Sequence, residues 1–149
     1  MITVADLLNE GALPPGTTVL GGKLALGRRV TWATALRLSG GFASLESGSL
    51  AVISLETLRL MPACPSAPQA IEQLGRADVA AIALRGQLEP YQAPLAALMA
   101  ERANCVLLQL PSGREWSVSS VESAVNAYLS KRSAAPSMAS IQPSSAPAR

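Results

Sequence analysis

The stretch from Leu45 to Glu56, "LESGSLAVISLE", decides how the rest of the chain is read. Gly48 marks a turn, and Leu50 to Ile53 then run without a polar break until Ser54. A short apolar run behind a glycine is the pattern of a strand buried on both faces, as in a parallel sheet. Two later segments repeat the theme, each a helix leading into an apolar strand. "SAPQAIEQLGRA" (66–77), with Ile71 and Leu74 facing inward, leads into "DVAAIAL" (78–84). "PYQAPLAALMAERA" (90–103), with Leu95, Leu98 and Met99 expected inward, leads into "CVLLQL" (105–110). Helices alternating with fully apolar strands imply an α/β fold: a small, mostly parallel sheet with covering helices.

The flanking segments fit around that unit. Thr3 can cap a short helix in "VADLLNE", with Asp6 as its capping partner and Leu7 and Leu8 on the core side. "GALPPG" ends this helix, and "TTVLGG" reads as a short strand closed by paired glycines. "RRVTWATAL" alternates Val30, Trp32 and Thr34 on one face, the period of a strand. "LETLRLM" suits a helical turn or two before "PACPSAP" breaks the chain. A last helix places Val118, Val121, Val125 and Leu129 on one stripe, and Trp116 can staple its start. From Ser130 the composition turns to Ser, Ala and Pro. The expected division is therefore a folded domain over 1–129 and a disordered tail or linker over 130–149.

Composition removes several chemistries. Among 149 residues there is no histidine, which excludes the usual serine and cysteine triads and any zinc site that uses imidazole. Cys64 and Cys105 are too far apart for a paired metal ligand and read as free thiols in a reducing cytoplasm. The net charge of +2 is scattered and no basic stripe is interleaved with aromatics, so a nucleic-acid surface is not expected. Arg28-Arg29 reads as a turn flank rather than a phosphate clamp. The start "MITVADLLNE" is acidic and amphipathic, unlike a secretory leader, and no apolar run is long enough to span a bilayer. "GGFASLESGS" lacks the lysine of a phosphate loop, and no G-x-S-x-G elbow occurs. Lys23 and Lys131 are the only lysines for a Ser–Lys pair, and Glu46 and Glu56 lie at opposite ends of one strand. Catalysis and cofactors are not expected.

Ligands of open parallel sheets sit beyond the carboxyl ends of the strands. Three such ends are legible: Ser54-Leu55-Glu56, Arg85-Gly86 and Pro111-Ser112. Arg85 would supply a fixed cation and Gly86 a close backbone approach. Trp32 suits core packing, with ligand stacking as the alternative.

With these segments laid out, the chain resembles the N-terminal domain of PucR-type, purine-catabolism transcription regulators. "MITVADLLN", "LGRRVTWATAL", "LESGSLAVIS", and "LGRADVAAIALRG" together with "ANCVLLQLP" carry the likeness, from Met1 to about Leu129. The resemblance implies a cytoplasmic, non-catalytic domain that senses a small metabolite of purine or nitrogen catabolism. It would pass its state to an output domain or a separate regulator. The DNA-binding helix-turn-helix of such regulators lies at their far C-terminus, and no stretch after Leu129 suits a recognition helix. Trp32, Arg37, Ser54, Glu56, Arg85 and Gly86 are the ligand-binding candidates. The expected partners are a small-molecule effector and a second copy of the chain, with no direct contact to nucleic acid or membrane. The chain departs from the family at Ser54-Leu55-Glu56, where Thr-Thr-Gly is usual, at Ser49 in place of Glu, and at Leu36-Arg37 in place of Ser-Glu. These departures leave an alternative: an interaction or dimerisation module with a degenerated pocket.

Overall fold

A computed structural model describes residues 2–36, 45–60, 66–113 and 116–141, with side chains up to Arg132. In chain order the elements are α1 (Val4–Asn9), β1 (Thr18–Gly21), β2 (Trp32–Ala35), β3 (Ser49–Ser54), α2 (Leu55–Leu60), α3 (Ala67–Arg76), β4 (Ala81–Arg85), α4 (Ala93–Arg102), β5 (Val106–Gln109) and α5 (Val118–Ile141). A 3₁₀ turn, Lys23–Ala25, follows β1. The five strands form one sheet in the order β1-β5-β4-β3-β2. β2 to β5 run parallel, and β1 closes the far edge antiparallel to β5. The fold is the expected α/β type.

The register explains why the central strands are apolar throughout. Leu50, Val52, Ala81, Ala83, Val106 and Leu108 face one core, which α1 and α5 cover with Val4, Leu7, Val121, Val125 and Leu129. Ala51, Ile53, Ile82, Leu84 and Leu107 face the other, which α3 and α4 cover with Ala70, Ile71, Leu74, Ala96 and Ala100. Every residue of β3 is buried, so neither face could accept the alternation of a half-exposed strand. Local signals agree with this arrangement. Thr3 Oγ1 accepts the Asp6 N–H at 3.2 Å, and Asp6 Oδ2 accepts the Thr3 N–H at 2.9 Å. That backbone bond lowers the Asp6 carboxyl below its ordinary value. Ser66 and Gln69 make the same reciprocal cap at the start of α3.

Two expectations about facing are corrected. On β2 the period of two holds but the phase is inverted. Ala33 and Ala35 are buried, whereas Trp32 is 48% exposed, so it is not a core residue. The reason is the close approach of α5. Asn126 Oδ1 accepts from Ala33 N at 2.7 Å, Asn126 Nδ2 donates to Ala33 O at 2.8 Å, and Glu122 Oε2 accepts from Ala35 N at 2.8 Å. Only alanine-sized side chains fit beneath a helix whose side chains reach the strand backbone, and these bonds seal an edge that would otherwise be open.

On α4 the inward residues are Ala96 and Ala100, while Leu95 and Leu98 point outward at 46% and 42% exposure, and Met99 is partly buried. Small residues again decide the facing. A side chain at Gly21 would come within 2.8 Å of Ala97, and one at Gly75 would collide with Ala103. α4 therefore lies too close to β1 and α3 for leucines to point inward. The last helix also differs in extent: it continues past Leu129 to Ile141, through a stretch read as tail. Arg132, Ala134 and Ala135 are good helix formers. The buried stripe nonetheless ends at Leu129, and Ser130, Lys131 and Arg132 are exposed. Among the described residues, no helix is long and apolar enough to cross a membrane.

Candidate functional site

The carboxyl ends of β3 and β4 lie side by side, with Ser54 in register with Arg85. A small cavity of about 150 Å³ opens there, and Ser54, Glu56, Arg85 and Gly86 all line it, together with Leu55, Arg59 and Gln87. A larger one of about 370 Å³ adjoins it on the α3 side. Leu55, Arg59 and Gln87 line both; Leu58 adds an apolar wall, and Gln69, Glu89 and Gln92 add polar groups from α3 and the β4–α4 connection. Four of the six sequence candidates thus surround one cleft.

Their individual roles are sharper than the strand-end rule foresaw. Ser54 Oγ accepts from the Glu56 N–H at 3.2 Å, so the hydroxyl caps the start of α2. Arg85 leaves the sheet on the α5 side, where its Nε donates to Trp116 O at 2.8 Å. That bond holds the chain ahead of α5, while the rest of Arg85 borders the smaller cavity. Gly86 has φ +107°, a conformation few other residues adopt. A Cβ there would lie 3.4 Å from the Leu55 side chain, so Leu55 covers the backbone that was expected to be open to a ligand. Gln109 braces the same turn: its Nε2 donates to Gly86 O at 2.7 Å and to Leu84 O and Leu110 O at 3.2 Å.

The remaining candidates lie elsewhere. Trp32 pairs with Ser49, at the opposite end of β3 from Ser54, roughly 16 Å away by strand rise. It cannot stack on a ligand in the cleft. Arg37 lies outside the described residues, as does Cys64. Arg59, Gln69, Gln87, Glu89 and Gln92 were missed. Gln87 was within reach, because the strand-end rule that picked Arg85 and Gly86 extends naturally to the next residue. Gln69 and Gln92 sit beside the β3 and β4 ends only because α3 and α4 begin there, which strand ends alone do not reveal.

At the other end of the sheet Arg28 is a structural latch. Its Nη1 donates to Val79 O and Asn104 O, both at 2.9 Å, and its Nη2 bonds Asp78 O at 3.3 Å and Asp78 Oδ1 at 3.0 Å. Ser47 Oγ donates to Asp78 Oδ2 at 2.6 Å. The Ser47 hydroxyl first, then the Arg28 charge, lower the Asp78 carboxyl below its ordinary value. Cys105 is buried nearby, and burial pushes its thiol up to about 11. Among the described residues, no group of three or more acidic or cysteine side chains could hold a metal ion.

No family model and no curated protein matches the chain. Among solved structures, the CBS and DRTGG domains of the regulatory region of Clostridium perfringens pyrophosphatase, complexed with the activator diadenosine tetraphosphate, resemble it. The identity is 11% and the TM-score 0.46, with 99% of this chain and 68% of that one covered. A likeness of that degree bears on neither ligand nor activity.

Proposed function

We propose that the chain is a non-catalytic, effector-sensing domain that binds a small metabolite in the cleft at the ends of β3 and β4. The observation that carries this reading is the cleft itself. About 370 Å³ of space lies where open parallel sheets bind ligands, lined by an apolar wall and several amide side chains. Gln87 and Gln92 offer donors and acceptors in pairs, and Arg59 and Glu89 add a charge of each sign, suited to a planar, hydrogen-bonding compound. A reaction has less support, since Ser54 serves as a cap and the chain has no histidine. The sequence resemblance to PucR-type regulators points to purine or nitrogen-catabolism metabolites, a cytoplasmic setting and an output domain or separate regulator. An effector regulates only by its differential affinity for two states, so the output must follow a change at the cleft.

A thermal-shift screen of nucleobases, ureides and related catabolites tests the proposal. A true effector at a hundred times its Kd stabilises the folded state by about 2.7 kcal/mol, a shift of several degrees. The shift should vanish in Gln87→Trp, which sets a bulky ring in the wall common to both cavities. No response across the library, or one that Gln87→Trp leaves intact, refutes the reading.

A further inference from the structure

α4 carries its large residues on the wrong side for a helix with one partner. Its inner face is alanine, and its outer face presents Leu95 and Leu98, with exposed Tyr91 just before the helix and exposed Arg102 in its last turn. The neighbouring α3 covers the same side of the sheet, and its outer residues are Gln69, Glu72, Gln73 and Arg76. The contrast locates the apolar face on α4 and not on the whole layer. A helix that packs through alanine and displays leucine is built to be covered twice.

The residues at the two ends of the outer stripe indicate what covers it. Tyr91, Leu95, Leu98 and Arg102 are separated by four, three and four residues, an order that reads the same in both directions. Two such helices running antiparallel about a two-fold axis place Leu95 opposite Leu98 of the second copy. The same axis places Arg102 opposite Tyr91 of the second copy, a cation against an aromatic face, once at each end. Apolar residues therefore meet at the centre and complementary electrostatics at both rims. We infer that the outer face of α4 is a homodimer interface, in which α4 packs antiparallel on α4 of a second copy of this chain. This inference does not depend on the ligand cleft.

Sedimentation of the full chain from about 1 µM to about 1 mM tests it. A monomer–dimer equilibrium is expected, and Leu98→Glu should yield monomer throughout while keeping the native circular dichroism spectrum. Arg102→Glu should raise the dissociation constant about tenfold, because two exposed cation–π contacts are lost per dimer. Disulfide trapping in a Cys64→Ser background checks the register without relying on either charge variant. Tyr91→Cys chains mixed with Arg102→Cys chains should cross-link to each other. Tyr91→Cys alone should not, since its two copies would stand about 16 Å apart along the axis, beyond disulfide reach. A monomer at every concentration, a dimer indifferent to both charge substitutions, or cross-linking of Tyr91→Cys with itself overturns the inference.

Discussion

Replacing Asn126 with leucine should be among the most costly single changes on the surface of α5. The side chain satisfies both Ala33 N–H and Ala33 C=O, at 2.7 and 2.8 Å, and Ala33 is wholly buried. Leucine has a similar volume, so it keeps water out while removing both partners. A buried polar group left unpaired costs about 1–3 kcal/mol. Two such groups, partly offset by the added apolar contact, give a loss of about 2–4 kcal/mol. Urea unfolding followed by far-UV circular dichroism reads this as a lower midpoint at unchanged slope. Because β2 loses the cover on its free edge, the variant should also aggregate at lower concentration. Asn126→Asp sharpens the test. It retains an acceptor for Ala33 N–H but sets a carboxylate oxygen against Ala33 O. At neutral pH it should be no more stable than the leucine variant. The repulsion raises the folded-state pKa of the new carboxyl, so its stability is fully present at low pH and is lost as pH rises through that value. A loss below about 0.5 kcal/mol for Asn126→Leu, or a pH-independent Asn126→Asp, would refute the edge-sealing argument.

Gly22→Ala should destabilise by at least about 3 kcal/mol, from the left-handed backbone together with a collision against the main chain of Cys105. Gly22 has φ +74°, and the added Cβ would also stand 3.1 Å from Val106 Cα, so no flexible side chain can yield. A soluble variant with an unchanged melting temperature would contradict the close approach of that turn to β5. Asp78 is held below its ordinary value, so its contribution is present above the usual carboxylate range and is lost as pH falls through the lowered value. Stability should therefore decline in acid, and Ser47→Ala should flatten that decline; an identical acid profile for the variant would show that the Ser47–Asp78 bond is immaterial.

How much of this was legible in the sequence varies by element. The apolar runs of β3, β4 and β5 determined that the strands were buried on both faces, because a continuous run has no phase to misjudge. Capping at Thr3 and Asp6 was equally local, since both partners lie within one turn. The strand-end rule anticipated that Ser54, Glu56, Arg85 and Gly86 would lie around one cavity, because the ends of parallel strands gather wherever the sheet forms.

What depended on distant packing was decided only in the tertiary structure. The phase of β2 turned on how near α5 comes, and that of α4 on how closely Gly21 and Gly75 allow it to approach. Hydrophobic periodicity assumes that the largest apolar residues face inward, and it fails where alanine and glycine bring backbones together. Arg28 binds Asp78 and Asn104 over separations of 50 and 76 residues, and Leu55 covers Gly86 from the neighbouring strand end; neither contact has a signature in the intervening sequence. The order of apolar and polar residues along the chain determined which segments are strands and helices. The distances at which those segments meet decided which faces they show to one another, to solvent and to the cleft.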